Sequence, residues 1–574
     1  MRVLKCFGIL GFLERETKAL DRRLFVLTAA SGTANATNLA VINAAVDSMK
    51  QGGPFWYHFV LFGLSIGLFV YSLRYILHES SRIAEEAILG VRTRLADKIR
   101  RSDLMALETI GEAEIHARIT RDTTAIAQAA RPLFSGTQSA IMVIFTMAYI
   151  AAVSPVAMLL CLLLIVSGIG LYLRDHDDYQ AGLQDSSRCE DGLFSSLTGL
   201  LKGFKELRLN QAKSDDVFAE FGVTARQVRD RRLKVMLKFS DNQIFVEMFF
   251  LVLLGAVVFV LPLLSTSFSD SVTKIVAAIL FFFGPLGNVV MMIPVLSEVN
   301  VTVDNLRRLE ASLDQALDRC AGQEQVPGTD LSGFQSVQLD GLHFTYRDPE
   351  GAPLFQVGPI DGEIRRGEIL FLVGGNGSGK TSFMKLFTAL YHPDQGSIRV
   401  DGQEIGPHNI QSYRNLFSAI FSDFYLFEKL HGLQQAAPEK VAEMLQLMEI
   451  AGKTDFQGGR FTHTSLSTGQ RKRLALVVSY LEDKSIYIFD EVAADQDPHF
   501  RAYFYETLLP DLKRAGKTLV VVSHDDRYFH VADRVLEMDY GRLRTHRRGP
   551  RPGAPAKKPT ARRSRKSPVP EPGP

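Results

Sequence analysis

Apolar residues gather into six stretches in the first half of the chain, at about 24–46, 57–73, 133–153, 156–173, 244–264 and 275–296. Each approaches the ~20 residues that a helix needs to cross a bilayer, and most carry almost no charge. The first is weaker, because Ser31, Thr33, Asn35, Thr37, Asn38 and Asn43 interrupt it. Such groups are costly against lipid and tolerable against a cavity or another helix, so the pattern predicts a span with a polar face. The other reading of this stretch, a secretory signal after Arg22 and Arg23, would leave five spans and place the C-terminal half outside the cell. The connections after the second and fourth stretches are long and polar, with helical periodicity and few breakers. They predict helices running well beyond the membrane. Beyond residue 296 the pattern changes to short apolar runs alternating with helical stretches, which predicts an α/β domain. The resulting organisation is a cytoplasmic segment over 1–23, six spans over 24–310, a linker over 311–333 containing Gly322, Pro327 and Gly328, a globular domain over 334–545, and a tail over 546–574.

Charge placement orients the spans. Lys and Arg crowd the stretch before residue 24, with Arg2, Lys5, Arg15 and Lys18, and the two long connections, with Arg92, Lys98, Lys202 and Lys213 among others. The alternating connections hold only Lys50, none, and Lys274. The positive-inside rule then places both termini in the cytoplasm. Glu247, near the start of the fifth stretch, belongs either at the membrane interface or in a substrate cavity.

Composition adds exclusions. The chain is 46% hydrophobic and 22% charged, averages that hide the uneven distribution. A fully soluble protein, a disordered chain and a small disulfide scaffold are excluded. From Arg547 onward nine Lys/Arg face one Glu, a local +8 within a net charge of +2, which leaves the rest near −6. No global basic surface exists for nucleic acid. The basic, Pro-rich tail cannot bury enough surface to fold, and its charge suits either solvent or anionic lipid. Cys6, Cys161, Cys189 and Cys320 are scattered without ligand spacing and predict reduced thiols.

The chemistry lies in the second half. Gly374, Gly375, Asn376, Gly377, Ser378, Gly379, Lys380 and Thr381 match GxxxxGK[ST] between an apolar run at 369–373 and a helical pattern from Ser382. Glycines in that setting turn backbone N–H groups onto phosphate oxygens, the helix N-terminus adds its dipole, Lys380 reaches the β/γ-phosphates and Thr381 ligates Mg²⁺. A second apolar run, 486–489, ends in Asp490 and Glu491. Asp490 suits the Mg²⁺ shell and Glu491 the place of a water-activating base. Ser467, Thr468, Gly469 and Gln470 open another helix, as an anion site or as an ordinary cap. His524 ends a third apolar run, within reach of a γ-phosphate.

In this order and spacing the residues resemble the nucleotide-binding domain of an ABC transporter, over about 336–543, and the spans before it have the exporter order. The resemblance implies a membrane all-α six-helix transmembrane domain followed by an α/β P-loop ABC nucleotide-binding domain, with ATP and Mg²⁺ bound. It implies that Tyr346 stacks on adenine and that Ser467, Gly469 and Gln470 form the signature meeting the ATP of another subunit. It places Asp497 at the dimer seam and hence implies a homodimer, and it implies coupling helices at the tips of the long connections, near 107–115 and 195–200. Three departures stand out: Thr468 for a commoner Gly, Val492 for a proline, and Ser422 for the Q-loop glutamine. Asp423, beside Ser422, is then a candidate to hold a metal-bound water. The strings VGGNGSGK, FSAIFSDFYLF, LSTGQRKRLAL and FDEVAADQDP resemble the cyclic-peptide exporter subfamily, as does the stretch at 200–210. That implies export of a small peptide, cyclic peptide or siderophore precursor across the bacterial inner membrane, with membrane lipids and no nucleic acid as partners. The alternatives are a lipid or lipopeptide flippase and a membrane ATPase that senses without transport. No peptidase-like Cys/His arrangement precedes the first span, which argues against a leader-cleaving exporter.

Overall fold

Each of the six apolar stretches lies on a helix: Arg22–Lys50, Trp56–Arg101, Thr123–Val153, Pro155–Arg174, Gln211–Gly255 and Ser269–Arg319. The computed structural model describes residues 22–174, 176–260, 269–319, 330–348 and 351–545. The expectations for the N-terminal segment, the end of the fifth stretch, the linker with Gly322, Pro327 and Gly328, Cys6, Cys320 and the basic tail lie outside the described residues. The chain separates into two units, Met1–Ser102 with Ala106–Leu317 and Asp103–Met105 with Asp318–Pro574.

In the first unit, the helices over Trp56–Arg101, Glu114–Val153, Gln211–Val260 and Val272–Leu317 are long and apolar enough to cross a membrane. Pro155–Gly170 is a shorter apolar helix. At 46 residues the Trp56–Arg101 helix extends ~69 Å, more than twice the hydrocarbon thickness, so its polar half projects beyond the bilayer. Ala87, Val91 and Leu95 on that half pack with Ile126, Ala129, Val299, Val303 and Leu306. The i, i+4 spacing of the first three places them on one face of their helix.

The first helix reaches no such hydropathy, and its contacts show why. Its polar face meets Thr123–Val153: Gln138 Nε2 donates to Ser31 Oγ at 2.6 Å and Asn43 Nδ2 to Tyr149 Oη at 2.9 Å. A Cβ on Gly32 would stand 2.8 Å from Ile141 Cγ2, a close helix approach that only a small residue permits. Ser31, Asn35 and Asn43 thus serve helix pairing, while Thr33 and Thr37 bond back to their own helix. Lys274, at the start of the last helix, pairs with Asp47 at the end of the first.

Both polar connections are helical; the tip of the first falls where expected and that of the second does not. The first breaks into Leu104–Ile110 and Glu112–Ala117, with Gly111 at φ 87° between them. In the second, His176–Lys202 runs straight through 195–200, and the turn comes later, as the short helix Phe204–Leu209. Asn210 then caps the next helix by accepting from the Lys213 N–H at 3.1 Å. Gly203 and Asn210, breaker and cap, are the local causes.

The second unit holds twelve strands among the described residues: β1 (Ser336–Arg347), β2 (Pro353–Arg365), β3 (Ile369–Val373), β4 (Gln395–Val400), β5 (Gln403–Glu404), β6 (Phe417–Ile420), β7 (Phe456–Gln457), β8 (Arg460–Phe461), β9 (Ile486–Asp490), β10 (Thr518–Val522), β11 (Arg534–Asp539) and β12 (Arg542–Thr545). An antiparallel sheet runs β2-β1-β4-β5, and a larger one runs β12-β11-β3-β10-β9-β6. In the larger sheet β11, β3, β10, β9 and β6 are parallel. β3, β9 and β10 are buried at every position, as apolar runs covered on both faces must be. Ile369, Phe371 and Val373 join Leu519 and Val521 in one core, and Leu370 and Leu372 join Ile488 and Val520 in the other. Leu104 and Met105 pack on the second core. The carboxyl ends of the parallel strands lie together, which is where α/β sheets bind ligands.

Candidate functional site

Two adjacent strand ends supply the chemistry. β3 leads into the glycine loop and then the helix Lys380–Phe387. Gly374, Gly377 and Gly379 have φ of 148°, 74° and 102°, conformations that L side chains rarely adopt. Gly374 is the most constrained, since a Cβ there would stand 2.3 Å from the Met538 carbonyl oxygen. Gly374→Ala is expected to cost about 1–3 kcal/mol and to weaken nucleotide binding. Thermal unfolding with and without ATP checks it, and coincident curves for variant and wild type would show that the loop has room to shift.

Lys380 is buried and folds back along the loop, donating to the Gly374 and Gly375 carbonyls at 2.8 and 3.0 Å. Burial pushes its ammonium below the usual lysine range, while Glu491 and Asp490 pull the other way. Ser378 Oγ is buried without a hydrogen-bond partner, aligned with a loop whose N–H groups suit anions. Thr381 stands half-buried on the first turn. The Tyr346 hydroxyl lies 3.0 Å from Ser382 Oγ, and its ring meets Phe344 edge-on at 5.0 Å. Gly375, Asn376 and Gly377 form the exposed or half-exposed rim.

β9 ends in Asp490, which is buried and accepts from the Ser422 N–H at 3.3 Å. Burial raises its carboxyl above the usual range, and the Ser422 contact opposes that. The residue at the Q-loop place therefore faces Asp490 through its backbone. Asp423 is exposed, and no bond joins it to Asp490 among the described residues. Glu491 follows at φ 51°, with Oε1 3.0 Å from His524 Nε2. The two residues singled out on separate strands are thus brought together.

The signature helix Thr468–Glu482 begins with a capping box. The Gln470 N–H donates to Ser467 Oγ at 3.4 Å and the Ser467 N–H to Gln470 Oε1 at 3.2 Å. Ser467 is therefore an N-cap, and its exposed position leaves the helix start accessible. Gly469 permits a close approach: a Cβ would lie 2.9 Å from the Asp495 carbonyl oxygen. Asp497 caps the helix Pro498–Tyr503 by accepting from the Phe500 N–H at 3.0 Å, and it also pairs with Arg473.

Two residues of this helix escaped the sequence reading. Buried Lys472 donates to the Glu491 carbonyl oxygen at 2.8 Å and to Asp495 Oδ2 at 2.6 Å. Arg473 donates to Gln496 Oε1 at 2.9 Å and Glu449 Oε2 at 2.8 Å, and lies 3.9 Å over the Phe500 ring. The available signal was three consecutive cations, Arg471 to Arg473, directly before the apolar run of the helix.

The site fits a nucleoside triphosphate and a divalent cation. The glycine cradle, the orphaned Ser378 hydroxyl, and a buried cation and anion each pushed toward neutrality all call for partners of opposite charge. No group of three or more His, Cys, Asp or Glu among the described residues could hold a metal by itself. That suits Mg²⁺, which takes one or two protein ligands with substrate phosphates and water.

Comparison with known proteins agrees. Residues 357–494 match the ABC transporter family model. The chain is 31% identical over 529 residues to the ATP-binding protein SyrD of Pseudomonas syringae pv. syringae, covering 89% of this chain and 91% of that protein. It is 27% identical over 369 residues to the ATP-dependent lipid A-core flippase of Vibrio vulnificus strain YJ016, covering 60% of each. Its fold is similar to a bacterial Atm1-family ABC exporter solved with ATP bound, with a TM-score of 0.74, 19% identity, and coverage of 92% and 95%. The chain belongs to the ABC transporter family, as an exporter half-transporter that binds ATP and couples its hydrolysis to transport across a membrane.

Proposed function

We propose that the protein exports a small peptide, cyclic peptide or siderophore precursor across the bacterial inner membrane as a homodimer, with both termini in the cytoplasm. The observation that carries the reading is the Lys380–Asp490–Glu491–His524 constellation at the ends of β3, β9 and β10, on a chain similar to SyrD over nearly its whole length. The four motif strings quoted above support the substrate class.

The geometry supports the roles around the phosphates, and the family resemblance supports those across the dimer. The loop from Gly374 to Gly379 and Lys380 hold the β/γ-phosphates, Ser382 and Tyr346 border the nucleotide, and Thr381 and Asp490 hold Mg²⁺. The metal supplies neutralisation of the charge on the phosphate oxygens. Glu491 accepts a proton from the water whose oxygen attacks the γ-phosphorus, as the bond to the bridging oxygen breaks and ADP leaves. His524, 3.0 Å from that carboxylate, orients it and faces the γ-phosphate. In the dimer Ser467, Gly469 and Gln470 meet the partner subunit's ATP, and Asp497 lies at the seam. Asp423 stays a candidate for a metal-bound water, through solvent. ATP-driven closure of two such domains favours one state of the spans over the other, which gives alternating access.

The test is comparative mass spectrometry of cells and medium for wild type, a deletion, and the deletion complemented with Glu491→Gln. A peptide or siderophore-like compound retained in both defective strains and missing from their medium is the expected result. A second reading, a lipid flippase, is favoured by the similarity to the lipid A-core flippase. It wins if only the lipid distribution changes. Unchanged compounds and lipids beside an active ATPase would overturn transport of either class.

A further inference from the structure

Within the membrane unit, the helices Gln211–Gly255 and Ser269–Arg319 line an open pocket of about 170 Å³. Phe239, Gln243 and Glu247 line it from the first helix, and Phe283, Gly287 and Met291 from the second. The nucleotide chemistry uses none of them. Glu247 is exposed near the start of the apolar stretch of its helix, where an ionisable group is a functional-site candidate by default. Its partner within the chain is Gln243, whose Nε2 stands 3.5 Å from Oε1, at the limit of a hydrogen bond. Among the described residues no cationic side chain pairs with it.

The glycines of this wall differ from Gly136 and Gly168, which sit at helix contacts, and are like Gly63, Gly67, Gly170 and Gly255, which face open space. A Cβ on Gly136 would stand 2.5 Å from Met292 Sδ, and one on Gly168 2.8 Å from Phe249 Cε1, so those glycines permit close helix packing. A Cβ on Gly284 or Gly287 would meet nothing within 4 Å. Here the missing side chains leave space. The remaining walls are two phenylalanines, two valines, a methionine and Asn242; the apolar ones suit an aliphatic stem and, for the rings, a cation. A pocket of this volume takes a group of side-chain size.

We propose that this pocket receives a basic, amphipathic group of the exported compound, an ammonium or guanidinium on an apolar stem. The charge sits against Glu247 and the stem lies between Phe239, Phe283 and Met291. The inference rests on the export reading and narrows its substrate class.

The test is equilibrium binding to the full chain in lipid nanodiscs without nucleotide. One probe is dansylcadaverine, a primary amine on an apolar stem, and the other is its N-acetyl derivative, which has no charge. Wild type is expected to prefer the amine by at least about tenfold, the scale of one charge-assisted contact. Glu247→Gln should bind both probes as tightly as wild type binds the neutral one. That retained binding also reports a folded pocket. Gly287→Leu, which fills the space, should weaken both probes together. A Glu247→Gln protein that keeps the wild-type preference overturns the proposal. So does a Gly287→Leu protein with unaltered affinities, or a wild type that binds neither probe. Because no transport step is needed, a negative result here leaves the export reading to be judged by the cell and medium comparison.

Discussion

Glu491→Gln is expected to bind ATP normally and to hydrolyse it at least about 100-fold more slowly, the usual contribution of a positioned base. The amide keeps the size of the carboxylate and a contact to His524 Nε2, which lies 3.0 Å from Oε1 in the wild type, but it cannot take a proton from water. The backbone of Glu491 at φ 51° is anchored by Lys472 through the carbonyl, a contact the substitution leaves intact. The loss should therefore fall on turnover alone. Phosphate release gives the rate, and retained nucleotide together with cross-linked nucleotide-binding domains gives the stalled state. Hydrolysis at the wild-type rate would place the base elsewhere.

Lys380→Ala is expected to act one step earlier, lowering ATP affinity by roughly 10- to 100-fold, the worth of a hydrogen bond to a charged group. It removes the cation nearest the phosphates and the two contacts to Gly374 and Gly375 that fold the loop. Titration with a fluorescent nucleotide separates this from the first variant: affinity falls in one and turnover in the other. The wild type carries a related pH dependence. Burial holds the Lys380 ammonium below the usual lysine range, and triphosphate binding favours the charged form. Affinity should be flat at neutral pH and begin to fall, as pH rises, earlier than for a surface lysine. An affinity constant up to the ordinary lysine range would show that the ammonium is not desolvated.

The contiguous features were legible in the sequence. Five apolar runs and a glycine loop between strand and helix each declare themselves within about twenty residues. Features that depend on distant partners were not. The polar face of the first helix admitted a cavity or a neighbouring helix, and Tyr149, more than a hundred residues away, decides for the helix. Nothing near Asp497 announced Arg473, and nothing near Glu491 announced Lys472, because each pair spans two elements that only the folded sheet brings together. The turn of the second polar connection was legible and overlooked: Gly203 and Asn210 mark it more sharply than the periodicity at 195–200.

Lys472 joins two motifs. Its nitrogen ties a helix that starts at Ser467 to the main chain of Glu491 and to Asp495. In the proposed dimer, Ser467 senses one ATP while Glu491 acts on the other. One buried ammonium is then a rigid strut between the helix that would meet one ATP and the residue that would act on the other.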